Sequence, residues 1–286
     1  MAGSSLSQPT PGFRRLLMQR PSAMVALLVF VAIVAICFLA PAFGLTQVGG
    51  MSVRNRLTPP NADYLLGADA FGRDVLGRLV AAGRTSLGIG LGVAVLSSIV
   101  GIAIGLAAGF FRRLDAVLSR VIDAMMAFPD ILLALSLVAI FGGTMLNVIL
   151  ALSVVYAPRI ARIVRASTLV IRELPYVEAA RALGTRTPTI MVTHVLRNIL
   201  SPILVQATFI FAYAMLAEAG LSFLGVGVDP RTPSWGIMVN EGRQYIDNAF
   251  FLILFPGLAI ALSVLSLQIV GDGLRDALDP KLAKET

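Results

Sequence analysis

Residues 87–111 read LGIGLGVAVLSSIVGIAIGLAAGFF, a run without one charged side chain. A helix of roughly 20 apolar residues crosses the hydrocarbon core of a bilayer, so this stretch is read as a membrane span. Working outward from it, residues 22–43, 117–142, 146–160, 199–224 and 250–270 have the same character, giving six predicted spans. The whole chain of 286 residues is 57% hydrophobic and 14% charged, more apolar side chain than a soluble domain covers. The expected fold class is therefore an all-α integral membrane protein with six transmembrane helices. Residues 22–43 follow Arg14, Arg15 and Arg20 as in a signal peptide. Their apolar run is too long for one and no A-x-A site precedes Pro41, so they are read as the first span.

Lys and Arg in the loops set the expected orientation. With the N-terminus inside, sixteen of the 23 basic residues fall on the cytoplasmic side, among them Arg112, Arg113, Arg120, Arg159, Arg162, Arg165, Arg172, Arg181, Arg186, Arg197 and Arg275. Arg54, Arg56, Arg73, Arg78 and Arg84 lie in the first outer segment, partly balanced by Asp63, Asp69 and Asp74. Both termini are expected in the cytoplasm. The net charge of +7 is then mostly a topology signal, and no nucleic-acid partner is expected. The expected organisation is a tail at 1–21, the first span at 22–43 and an extracytoplasmic segment at 44–86. A five-helix core follows at 87–272, carrying an inner loop at 159–197, with a second tail at 273–286.

Shortages exclude much chemistry. Lys281 and Lys284 are the two lysines and neither follows a glycine, so the phosphate-cradling Walker A pattern is absent. One histidine (His194) and one cysteine (Cys37) provide no zinc cluster, Cys/His pair or disulfide. No G-x-S-x-G nucleophile elbow occurs. The chain is expected to bind no metal or cofactor and to catalyse no reaction.

The inner loop is informative. Arg159, Arg162 and Arg165 recur every three residues, which suggests that the fourth span continues past the headgroups with a basic stripe. Pro175 breaks that helix. Residues 176–183 are good helix formers, Glu178 and Arg181 are spaced to pair one turn apart, and Gly184 suits a left-handed C-cap. A second helix is expected to start with Thr187 as N-cap and Pro188 at its first position. Ala179, Ala180 and Ala182 would let a partner's groove approach the backbone, with Glu178 as an orienting charge; a solvated connector is the alternative on these residues alone.

EAARALG at 178–184, followed by His194-Val195-Leu196, resembles the signature of bacterial ABC-transporter permeases: Glu-Ala-Ala, three residues, Gly, nine residues, then Ile-x-Leu-Pro. The resemblance implies that Glu178, Ala179, Ala180 and Gly184 belong to a coupling helix docked on an ATPase subunit. His194 and Arg197 replace the usual Ile and Pro, from which a straighter helix into the fifth span is expected. Further blocks are similar to dipeptide and oligopeptide permeases of the "C" type: LGADAFGRDVLGR at 66–78, AGRTSL at 82–87, MAFPD at 126–130, EAGLSFLG at 218–225 and PSWG at 233–236.

The family implied is that of the type I ABC importers, located in the bacterial inner membrane. Its implied partners are a homologous "B" type permease, two ATP-binding subunits or one fused ATPase that bind ATP and Mg, an extracytoplasmic substrate-binding protein, and membrane lipid. Relatives with these motifs carry dipeptides, longer peptides, glutathione or nickel chelates. A proton-coupled transporter using Asp123, Asp130 and Glu218 as a relay, and a membrane scaffold without a pore, are the rivals from other classes.

Inside the membrane, Gly101, Gly105 and Gly109, with Gly88 and Gly92 before them, form a small-residue row that lets another helix approach closely, within this subunit or as a seam against its sister. Asp123 and Asp130, seven apart, are placed on one face of the third span, with Arg120 pairing to Asp123 and Asp130 toward the pore. Glu218, Gly220 and Ser222 are assigned to the translocation wall or an outer gate, where glycines at 220, 225 and 227 loosen the helix; a structural hydrogen-bonding role is the alternative. In the outer segment, residues 72–82 read as an amphipathic surface helix, with turns at Pro59-Pro60-Asn61 and Gly67. Asp69, Arg73, Asp74 and Trp235 are the candidates for contact with a binding protein, a self-packed lid being the alternative.

Overall fold

The computed structural model describes residues 21–44 and 50–278. Most of the expected tails, 1–20 and 279–286, lie outside the described residues. The described chain is helical, with a single isolated bridge between Ala68 and Asp74. The helices are α1 (Pro21–Leu39), α2 (Val75–Phe110), α3 (Arg112–Ala127), α4 (Asp130–Phe141), α5 (Met145–Ile171), α6 (Pro175–Ala182), α7 (Leu200–Phe223), α8 (Trp235–Gly242) and α9 (Phe251–Leu278).

Five of these, α1, α2, α5, α7 and α9, are long and apolar enough to cross a membrane. The sixth crossing is a bent pair, α3 with α4, at 95°. The expected straight third span at 117–142 is therefore corrected, and the cause is local. Pro129 confines the residue before it to extended backbone; Phe128 sits at φ −84°, ψ 142°, and Pro129 then serves as N-cap of α4. Asp123 and Asp130 consequently fall on opposite sides of the bend rather than on one helical face.

A second correction concerns the expected surface helix at 72–82. Asp74 caps a helix that starts at Val75 and continues unbroken through the second span for 36 residues, about 54 Å at 1.5 Å per residue. Asp74 accepts from the backbone N–H of Gly77 at 2.8 Å and of Leu76 at 3.4 Å. Val75, Val80 and Ala82 are buried, so these first turns pack into the protein instead of lying on its surface.

The core is organised by the glycine row on α2. A Cβ on Gly101 would fall 2.7 Å from Ile160 Cβ, on Gly105 2.6 Å from both Ala161 O and Val164 Cβ, and on Gly109 2.5 Å from Thr168 Cβ. Helix α5 thus rests on bare α2 backbone, and the row is an intrasubunit seam, not one against a sister subunit. Contacts pair rising numbers with rising numbers, from Gly88 with Met145 to Gly109 with Thr168, so α2 and α5 run parallel. The bent pair between them must therefore carry the chain back from one end of the bundle to the other. We call the end where α2 and α5 finish the basic end, and the opposite one the rim.

Candidate functional sites: the basic-end knob, the charge ladder and the rim

At the basic end, Pro175 opens α6 with no donor to waste and Leu174 caps it. Its inner face, Val177 and Ala180, is buried against Ile190 with Phe110 and Ile171 around them. Arg181 lies over the Phe110 ring at 5.0 Å instead of pairing with Glu178, which corrects the expected ion pair. The helix closes with two crossed hydrogen bonds, Gly184 N–H to Arg181 O at 2.9 Å and Thr185 N–H to Ala180 O at 3.0 Å. This Schellman closure needs a left-handed residue, and Gly184 supplies it at φ +79°. Glu178, Ala179 and Ala182 face outward, and Leu183 is 86% exposed at the tip. Of the expected docking residues, Ala180 is turned inward onto the subunit, because at helical spacing it shares a face with Val177. Leu183, an apolar residue directly before the C-cap glycine, is exposed on the same outer face although it was not among the expected residues.

The link from this knob to α7 is irregular. Thr187–Thr189 is one helical turn whose N-cap is Arg186, one residue before the expected Thr187. A π-helical stretch, Ile190–Val195, and a 3-10 turn, Leu196–Asn198, follow before α7 begins. The expected straighter entry into the fifth span is thereby corrected. His194 stacks on Tyr176 of α6 with centroids 6.3 Å apart, and Asn198 donates to the Tyr176 hydroxyl at 3.3 Å.

The arginine stripe of α5 is a ladder against the bent pair. Arg159 binds Asp130, Arg162 binds Asp123 at 2.8 Å, and Arg165 binds Asp115. Asp123 therefore pairs with Arg162 and not with Arg120: the bend turns α3 across α5, so the long-range partner displaces the one a turn away. Arg159 also lies between the rings of Tyr156 and Tyr213, at 5.2 and 5.4 Å.

At the rim, blocks far apart in sequence converge. Asp69 is buried and accepts from the backbone N–H groups of Phe71 and Arg73 at 2.8 and 2.9 Å, from Arg73 Nε at 2.6 Å and from Arg78 Nη1 at 2.7 Å. Burial alone would raise its pKa, but the backbone donors, the Arg73 side chain and the Arg78 charge outweigh that and lower it. Arg78 also reaches Glu241 of α8 at 2.7 Å. Asp69, Phe71, Arg78 and Glu241 line a cavity of about 210 Å³ shared with Met238, Tyr245 and Leu252.

Farther along α2, beside Ser86, Glu218 is fully buried in an unbroken α7, so Gly220 does not loosen the helix there. Ser222 donates to Glu218 Oε1 at 2.8 Å and Ser86 to Oε2 at 3.1 Å, while Ser86 Oγ accepts from Trp235 N–H at 3.2 Å. Trp235 is 1% exposed, its indole N–H on Leu79 O at 2.9 Å and its ring against Gly83. It offers no surface to a docking protein, a correction to its expected role; Asp69 and Asp74 likewise spend their oxygens inside the subunit. Asp130 and Asp123 are each paired with an arginine of α5, whereas Glu218 is held by Ser86 of α2 and Ser222 of α7, so the three carboxylates have separate partners and are not joined into the file a proton relay needs.

Comparison with known proteins agrees with this anatomy. Residues 98–284 match the family model described as "Binding-protein-dependent transport system inner membrane component". A Brucella suis protein, provisionally named a peptide transport system permease protein, is 49% identical over 271 residues, covering 95% of this chain and 92% of that one. The dipeptide transport system permease protein DppC of Alkalihalophilus pseudofirmus is 41% identical, covering 91% and 86%. The glutathione transport system permease protein GsiD of Pectobacterium atrosepticum is 38% identical, covering 97% and 93%. Among solved structures, a chain of the MetNI methionine ABC transporter in inward-facing conformations superposes with a TM-score of 0.55 at 22% identity, covering 70% of this chain and 96% of that one, which supports the fold. This chain belongs to the binding-protein-dependent transport system inner membrane component family, the multi-pass permease subunits of ABC transporters.

Proposed function

We propose that this chain forms half of the translocation pathway of an ATP-driven importer of short peptides, with a homologous "B" type permease as the other half. The basic end faces the cytoplasm by the positive-inside rule, with both termini there, and the rim faces outward toward a substrate-binding protein. ATP and Mg belong to partner ATPase subunits, separate or fused. The single observation that carries the reading is α6: a short helix with its inner face seated on the ends of α2 and α5 and with Glu178, Ala179, Ala182 and Leu183 presented outward. A cleft gripping that face moves the helix ends beneath it, and so the bundle.

The substrate class rests on relatives named for peptide and dipeptide transport, with the more distant glutathione permease beside them. Nucleotide must favour one orientation by roughly 5 kcal/mol to redistribute the bundle almost completely. The rim cluster around Asp69, Arg73 and Asp74 acts as the stiff base beneath the exposed loops that meet the binding protein.

The test is the assembled transporter in proteoliposomes, assayed for ATP-driven dipeptide uptake with glutathione as competitor. Leu183→Asp and Glu178→Arg are expected to release the ATPases and lower uptake more than tenfold, while shifting subunit stability by less than about 0.5 kcal/mol, as exposed positions do. Full ATPase attachment and uptake in both variants would sink the proposal.

A further inference from the structure

The Arg159 rung differs from the other two rungs of the ladder. Arg159 lies fourteen residues into α5, about 21 Å from the rim end of that helix and so within the depth of a bilayer core. Charged groups at that depth face protein or water rather than lipid. Yet the side chains of Arg159 and Asp130 are 31% and 35% exposed, and Tyr213 on α7 is 39% exposed beside them. Such an opening has to meet water or the sister permease, and so lies on the side of the subunit that faces the pathway.

The guanidinium has five N–H donors, and the structure assigns it one hydrogen-bond acceptor among the described residues, Asp130. Tyr156, one turn before it and buried, and Tyr213, from across the bundle, hold the guanidinium between their rings. The remaining donors form the planar fork that matches a carboxylate. Asp130 keeps a second oxygen, Oδ1, that accepts no hydrogen bond from the described residues. A peptide carries one carboxylate and one ammonium, the two charges this site complements. Because Asp130 already offsets part of the Arg159 charge, an arriving carboxylate exchanges with a resident one instead of meeting a bare cation. Such a site binds weakly enough to release, which passage requires.

Resting on the reading of the chain as a peptide importer, we propose that Arg159, held by Tyr156 and Tyr213, is the station that takes the substrate's terminal carboxylate in transit, with Asp130 taking its ammonium.

The test uses the complete transporter with its binding protein in proteoliposomes and dialanine as probe, read as uptake per ATP hydrolysed. Arg159→Gln is expected to lower uptake roughly tenfold or more, the scale of one charge-assisted hydrogen bond, while ATPase stimulated by the binding protein persists. Tyr213→Leu is expected to lower it several-fold without touching the ion pair, and Arg162→Gln to leave it within about twofold, as an exposed ion pair should. The exchanged pair, Arg159→Asp with Asp130→Arg, restores the link between α4 and α5 but moves the cation out of the tyrosine clamp. Uptake is expected to stay low. Recovery in the exchanged pair, or wild-type uptake in Arg159→Gln, overturns the station and leaves a structural ion pair. Wild-type transporter that moves no dialanine would instead overturn the peptide reading, and the station with it.

Discussion

Replacing Gly105 by alanine tests the seam that orders this bundle. The added methyl would lie 2.6 Å from Val164 Cβ and 2.6 Å from Ala161 O. Carbon atoms rest at roughly 3.5–4.0 Å, so α2 and α5 must part by about 1 Å, a gap that forfeits a quarter to a half of the dispersion energy of each separated contact. Overpacking of this kind costs about 1–3 kcal/mol. The matched control is Gly257→Ala in α9, where a methyl meets no heavy atom within 4 Å. There alanine relieves the helix of a glycine and stabilises by roughly 0.5–1 kcal/mol. That gain applies at both helical glycines and cancels, so the two substitutions, identical in chemistry, should differ by the overpacking cost of about 1–3 kcal/mol. The assay is detergent-driven unfolding in mixed micelles followed by helical signal. Because one methyl already parts the seam, adding Gly101→Ala should cost less than its effect alone. Equal stability of Gly105→Ala and Gly257→Ala, or simple additivity of the pair, would refute the account of α5 resting on bare α2 backbone.

Asp69→Asn leaves Arg78 buried with Glu241 as its remaining acidic partner; because the charge stays paired, the cost is that of lost charge-assisted hydrogen bonds, about 1.5–3 kcal/mol, readable as a lower unfolding midpoint. Since the folded-state pKa of Asp69 lies below its unfolded value near 3.9, its contribution is fully present above that value and is lost as pH falls through the folded pKa. An acid titration of stability should therefore lose a limb in Asp69→Asn. Glu218→Gln keeps shape but replaces one acceptor oxygen by a donor in front of Ser86 or Ser222; coupled uptake is expected to fall several-fold with assembly intact, and unchanged uptake would exclude a gate role. Asp123→Asn, at a pair half exposed or more on both sides, should change stability by less than about 1 kcal/mol in the same unfolding assay.

The parts legible in the sequence were those settled within a few residues. Long uncharged runs declared the spans, and Gly184 declared its cap because a left-handed residue after a run of helix formers has one common use. The glycine row declared close packing, though its neighbour, α5, was visible only in the fold. Ionic partners were the least legible. Arg120 and Arg162 are equally plausible for Asp123 on charge alone, and the choice belongs to the bend at Pro129, which folds α3 over α5. Trp235 failed for a related reason: an amphipathic ring suits a membrane interface, but Gly83 makes room for the ring and Gly236 lets α8 close on Ala219 of α7, which buries it. Phe128-Pro129 and Asp74 did carry local signals, an X-Pro break and an N-cap, which would have corrected the third span and the surface helix.

The continuity of α2 has a mechanical consequence. Its rim end is clamped by the Asp69 cluster through Arg78, and its basic end carries Phe110, the anvil under Arg181. A single rod about 54 Å long has no joint at which to absorb a push, so a tilt of about 10° started at one tip sweeps the other through roughly 9 Å. Leverage of that size turns a small change of angle at the basic end into a wide displacement at the rim.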